Sequence, residues 1–200
     1  MRANSLIGKN AFFVGGSSGI GLAAARLAQE MGANVILGGN NARQLTEEAG
    51  ILKCSGFAGM DVSDRRSVQS AVQDLPRIDH LIITAGRRIT GRLVDSEPDQ
   101  LLEAVRERVW GAVYVVHSLL GKLAPGASII LTSGVLSQRP SAPGNSVLAA
   151  SVGAVEALVR GLAIELQPMR VNVKSPRKPE PVGSREFPQQ ESLHEEVQIQ

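Results

Sequence analysis

Five short runs of continuous apolar character recur along the chain: AFFV (11–14), NVILG (34–38), HLIIT (80–84), SIILT (128–132) and RVNV (170–173). Half-exposed strands alternate apolar with polar residues, so unbroken runs of this length point to strands buried on both faces, the habit of parallel sheets. A weaker sixth run, GILKCSGFAGM (50–60), is broken by three glycines. Between the runs lie segments of helical period at about 19–31, 41–49, 64–74, 98–122 and 145–166. Ser63 and Asp64 suit the N-cap of the third helix, and Pro98 suits the first turn of the fourth. Strands alternating with helices predict an α/β fold, a doubly wound parallel sheet covered by helices on both faces. That pattern occupies residues 1–174 as one domain. From 175 to 200 prolines, charges and glutamines accumulate without an apolar period, which predicts a poorly ordered tail.

The loop VGGSSGIG (14–21) is the first connection in this pattern, and it joins a buried strand to a helix start. Backbone N–H groups and the helix dipole meet there, which suits a pyrophosphate. Gly15 would permit the turn, Gly19 the close approach of a phosphate, and Gly21 the packing of helix on strand. Ile20 lies in the same loop, and Ser17 and Ser18 offer hydroxyl donors. A glycine-rich loop also makes ordinary turns; its place between strand and helix carries the dinucleotide reading.

Several other classes are disfavoured. The net charge of +2 comes from dispersed Lys and Arg, with no basic stripe for nucleic acid. The single cysteine, Cys54, forms no internal disulfide, has no ligand-spaced neighbours for a metal, and reads as a small apolar residue. The N-terminal stretch holds one apolar run of four, too short for a signal segment or a membrane span. A cytoplasmic protein with no membrane partner is expected.

The spacing GxxxGxG, together with Asp61-Val62, Thr84-Ala85-Gly86, Ser133, and Arg170-Val171-Asn172-Val173 with Ser175-Pro176, resembles the short-chain dehydrogenase/reductase family over residues 8–176. The resemblance implies a Rossmann-type sheet of order 3-2-1-4-5-6, without a recognisable seventh strand, and an NAD(P)-dependent oxidoreductase acting on a carbonyl/alcohol pair. It assigns cofactor binding to Gly15, Ser17, Ser18, Gly19, Ile20, Gly21, Asp61, Val62, Ala85 and Gly86, with the Asp61 carboxylate on the adenine ring. At the end of the second strand, where a carboxylate would hold the ribose of NAD(H), the chain reads GGNNAR. Asn40 and Arg43 in that place favour NADP(H) over NAD(H). Turn-making and helix-capping is the alternative role for Asn40 and Asn41.

The family's acid/base pair is a Tyr with a Lys four residues later. Aligning its helix on LAASVGAVEAL puts Leu148 and Val152 at those positions. The only tyrosine, Tyr114, is followed at that spacing by Ser118, and no lysine lies between Lys122 and Lys174, so no shifted pair exists. The family's Ser position falls at Gly134 or, with a short insertion, at Ser133; its helical Asn position falls at Arg108. Ser133 and Arg108 are therefore the candidate catalytic residues, with a strand-end hydroxyl and a solvated surface charge as their alternative readings. Tyr114 and His117 lie about 240 and 180 degrees around a regular helix from Arg108, pointing to packing or interface roles. His80 opens a buried strand and His194 lies in the tail. A non-catalytic dinucleotide-binding sensor or scaffold, or a truncated product, is the competing reading. The substrate is an unidentified small molecule, and the helices at 98–122 and 145–166 are candidates for homo-oligomer contacts. Their apolar face of Val105, Val109, Ala112 and Val116 is equally consistent with burial on the chain's own sheet.

Overall fold

The computed structural model describes residues 6–140 and 142–176. Six strands, β1 (Asn10–Val14), β2 (Asn34–Gly39), β3 (Gly56–Gly59), β4 (Ile78–Ile83), β5 (Leu123–Thr132) and β6 (Arg170–Lys174), form one sheet of order β3-β2-β1-β4-β5-β6. Every pairing is parallel. The chain thus winds one way from β1 to β3 and the other way from β4 to β6, as the strand–helix alternation predicts. The direction reverses between β1 and β4, and a crevice opens there beyond the strands' carboxyl ends.

Alternation along the central strands divides the core into two layers. Phe12, Val14, Ile36, Leu81, Ile129 and Leu131 face one side, packed with residues of α3 (Arg65–Val72), α5 (Gly111–Leu119) and α6 (Ser146–Glu165). Ala11, Phe13, Val35 and Leu37 face the other, against α1 (Gly19–Glu30) and α2 (Ala42–Ile51). Asp64 caps α3 by accepting from the Arg66 N–H (2.9 Å), and Asn41 caps α2 by accepting from the Gln44 N–H (3.1 Å).

Three expectations are corrected. The run 50–60 yields only the four residues of β3, because Gly50 and Ile51 complete α2 and Lys53 turns back with φ +50°. β5 begins five residues before the expected start, at Leu123, beyond an irregularity in its pairing with β4. The helix expected at 98–122 is α4 (Pro98–Val105), a π-helical turn (Arg106–Trp110) and α5. Its apolar face is spent on the chain's own core: Ala112 and Val116 are buried, and Val109 packs against them.

Among the described residues β3 and β6 are the edge strands. The expected tail, with His194, lies outside the described residues beyond Pro176. α6 is long and apolar enough to cross a membrane by length and composition. Its Leu148, Val152, Val155 and Val159 are nevertheless buried in the molecule.

Candidate functional site

A cleft of about 450 Å³ lies over the carboxyl ends of β1, β2, β4 and β5. The strand ends fix its floor: the Gly15 N–H donates to the Gly38 carbonyl (2.8 Å) and the Thr84 N–H to the Val14 carbonyl (2.8 Å). Thr84 Oγ1 lies 3.2 Å from both the Val14 and Gly15 carbonyl oxygens, tying β4 to the glycine loop.

The three loop glycines do separate work. A Cβ on Gly15 would meet Thr84 Oγ1 at 2.6 Å, and its φ is +87°. A Cβ on Gly21 would fall 2.2 Å from the Gly15 carbonyl oxygen, so α1 packs against the loop without a side chain between. A Cβ on Gly19, with φ +53°, would meet nothing within 4 Å, because that side of the loop opens to the cleft. The first N–H groups of α1 have no intrahelical acceptor and lie at this opening. Ser18, the N-cap, makes no capping bond with its side chain, and Ser17 is buried beside Gly39. A turn that excludes Cβ atoms where it folds and leaves space where N–H donors converge fits a dinucleotide pyrophosphate.

At one end the cleft is lined by Asn40, Asn41, Gln44, Asp61 and Val62. Asp61 Oδ1 accepts from the Ser63 N–H (2.9 Å) and hydroxyl (2.8 Å), which fixes the carboxylate at the rim. Arg43 is exposed on the first turn of α2 and does not line the cleft; Asn41 and Gln44 do. From the sequence Asn41 has only a turn-making or capping role and Gln44 is not singled out; the capping contact from the Gln44 N–H to Asn41 Oδ1 is the feature that places both there.

At the other end stand Ala85, Gly86, Arg87, Glu107, Arg108, Thr132, Ser133 and Pro176. The π-helical turn brings the consecutive Glu107 and Arg108 to the loop after β4. Buried Glu107 accepts from the Arg87 N–H (2.8 Å) and from Arg87 Nε (2.6 Å). Arg108 Nη2 donates to the carbonyls of Gly86 (3.1 Å) and Arg87 (3.2 Å), while its Nε is buried without a partner. Burial pulls the guanidinium below its ordinary value. Gly86 leaves room for Arg108: a Cβ there would come within 2.8 Å of Arg108 Cγ. Neither Glu107 nor Arg87 is marked as a site residue by the sequence, because their pairing joins positions 20 residues apart.

Ser133 is 6 % exposed. Its hydroxyl lies 2.7 Å from Glu156 Oε1 and 3.1 Å from the Val152 carbonyl oxygen, with one proton to share between them. The Ser137 (2.8 Å) and Ser175 (3.3 Å) hydroxyls also donate to Glu156 Oε1. The hydroxyls of Ser133 and Ser137 hold that carboxylate below its ordinary value. Glu156 thus pins the ends of β5 and β6 to α6. Leu148 and Val152 are each 3 % exposed and do not line the cleft. Tyr114 packs beside the core with its ring 6.2 Å from Trp110, and His117 is exposed. The described residues contain no cluster of His, Cys, Asp and Glu able to hold a metal ion.

Comparisons with known proteins agree with this geometry. A family profile described as enoyl-(acyl carrier protein) reductase matches residues 14–199. The short-chain dehydrogenase/reductase malC of Malbranchea aurantiaca is 33% identical over 190 residues, covering 86% of this chain and 72% of its own. Among solved structures, a blue fluorescent protein from a metagenomic library in complex with NADPH superposes with TM-score 0.76 at 27% identity, covering 84% of this chain and 73% of its own. A short-chain dehydrogenase of Shigella flexneri complexed with NADP gives TM-score 0.79 at 25% identity over 86% of this chain and 77% of its own.

Proposed function

The chain belongs to the short-chain dehydrogenase/reductase family, and we propose that it is an NADP(H)-dependent oxidoreductase acting on a carbonyl/alcohol pair through an atypical site. One observation carries the proposal: a single cleft joins a glycine loop shaped for a pyrophosphate to a pocket holding Arg108 and Ser133. The loop N–H groups and Ser18 would hold the phosphates, Asp61 and Val62 the adenine, and Asn40, Asn41 and Gln44 the adenosine ribose with its phosphate. With amides and no carboxylate at the end of β2, a 2'-phosphate meets donors rather than repulsion. When bound, the cofactor supplies or accepts the hydride.

The chain's own residues would orient the substrate and balance charge. Arg108 keeps a positive charge at the open end and, as a guanidinium, releases no proton at neutral pH. With its proton held by Glu156, the Ser133 oxygen would accept from the alcohol hydroxyl or from a water at the substrate oxygen. With Leu148 and Val152 at the family's acid/base positions, water would exchange the proton at the substrate oxygen. This arrangement favours slow turnover, with positioning as its main source of rate. Burial of both apolar side chains also supports a second reading, a dinucleotide-binding protein without turnover. Self-association belongs to the proposal as well, through the outward faces of α4, the π-helical turn and α6, where Leu102, Trp110 and Ile164 are exposed.

The deciding experiment measures NADPH oxidation against a panel of aldehydes and ketones in wild type, Ser133→Ala and Arg108→Ala. Turnover in wild type that falls at least tenfold in Arg108→Ala supports the oxidoreductase. Saturable NADPH binding with no turnover on any carbonyl leaves the non-catalytic reading standing.

A further inference from the structure

The substrate end of the cleft carries more positive charge than the protein neutralises. Its two flanking loops, 84–96 and 133–145, are joined by a hydrogen bond from the Gly91 N–H to the Gly144 carbonyl (2.9 Å). They contain Arg87, Arg88, Arg92 and Arg139, with Asp95 as their one acidic residue. Arg87 is paired with Glu107 and Arg92 with Asp95. Among the described residues no carboxylate lies within salt-bridge distance of Arg88, Arg108 or Arg139. Arg88 and Arg139 are exposed, so water and salt screen them. Arg108 differs: it lines the cleft, is partly desolvated, and has its adjacent carboxylate, Glu107, committed to Arg87.

A half-buried guanidinium without a counter-ion is unfavourable unless something brings one. Nη2 is spent on two backbone carbonyls and Nε is enclosed, which leaves Nη1 without a protein acceptor among the described residues. We infer that this end of the cleft takes a carbonyl substrate bearing a carboxylate, and that Arg108 pairs with that carboxylate. The inference rests on the oxidoreductase reading for the carbonyl but not for the anion, whose partner is set by charge and burial alone. The rim arginines steer the acid toward the cleft, and Arg108 makes the contact.

The test uses the full chain saturated with NADP⁺, so that small anions cannot occupy the phosphate sites. Calorimetric titration compares two acid/amide pairs, pyruvate with pyruvamide and acetoacetate with acetoacetamide. At least one acid is expected to bind about tenfold or more tightly than its amide, the range of a charge-assisted hydrogen bond. In Arg108→Gln the preference disappears, while Arg108→Lys keeps part of it. The affinity for NADP⁺, measured in each variant, reports that the fold and the cofactor end are intact. Arg88→Gln/Arg139→Gln retains the preference to within about threefold at 0.15 M salt, as expected for exposed charges beyond direct contact.

Equal binding of acid and amide in wild type, including no binding of either, overturns the inference while the NADP⁺ site stands. A preference that survives Arg108→Gln but collapses in the double variant places the contact on the rim and overturns the role of Arg108. Loss of NADP⁺ binding in wild type overturns the oxidoreductase reading itself.

Discussion

Gly19 separates binding from folding better than its neighbours. Gly15 and Gly21 are closed in by Thr84 and by the loop's own backbone, so alanine at either forces the turn apart. Alanine at Gly19 meets open space, and only its φ of +53° is strained, at about 1–2 kcal/mol. The added methyl then stands where a phosphate would approach the N–H donors. Gly19→Ala is expected to stay folded, with a modestly lower denaturation midpoint, and to bind NADPH at least tenfold more weakly. Gly21→Ala is expected to lose the native fold by circular dichroism. His80, at the opposite end of the sheet, lies with Nδ1 2.7 Å from Ser128 Oγ; burial holds it below the ordinary value of 6.5, against the pull of Asp79 and with the push of Lys9 and Arg170. Below pH 6.5 the unfolded chain takes up a proton there before the folded chain does, so stability falls as the pH drops toward the folded value. His80→Gln removes that part of the slope in denaturation curves measured between pH 7 and 5.

At the scale of elements, the π-helical turn decides what the substrate end looks like. It places Glu107 and Arg108 together against the loop after β4, so one residue fixes the Arg87 N–H and the next fixes the Gly86 and Arg87 carbonyls. Glu107→Ala leaves that N–H without its acceptor and Arg87 without its partner. The expected loss is about 1–3 kcal/mol in urea denaturation. The sequence does not announce such a turn: RERVW reads as ordinary helix by period. The glycine loop is legible for the opposite reason. Its backbone admits one residue type at each of three points, and its flanking strand and helix follow from unbroken and periodic apolar runs. The short β3 hides between glycines, and the Glu156 cluster gathers hydroxyls that lie up to 23 residues from Glu156 along the chain, a relation no local pattern expresses.

Across the whole molecule, one sheet reversal creates the crevice and two helix layers hold it rigid. Ser133, Ser137 and Ser175 draw the ends of β5 and β6 onto α6 through Glu156, so the cleft's far wall depends on a single carboxylate. That carboxylate's value is held low in the folded chain, so its contribution is present above 4.5 and is lost as the pH falls through the folded value. A ligand that bridges both ends of the cleft should stabilise the entire fold, by about 2.7 kcal/mol at one hundred times its dissociation constant. The most direct test is a fluorescence titration of wild type and Gly19→Ala with NADPH, with NADP⁺ and NADH as competitors. The account predicts saturable NADPH binding to wild type, displacement by NADP⁺ more readily than by NADH, and at least a tenfold loss in Gly19→Ala. A folded wild type that binds neither dinucleotide, or a Gly19→Ala variant that binds NADPH as tightly as wild type, would contradict it.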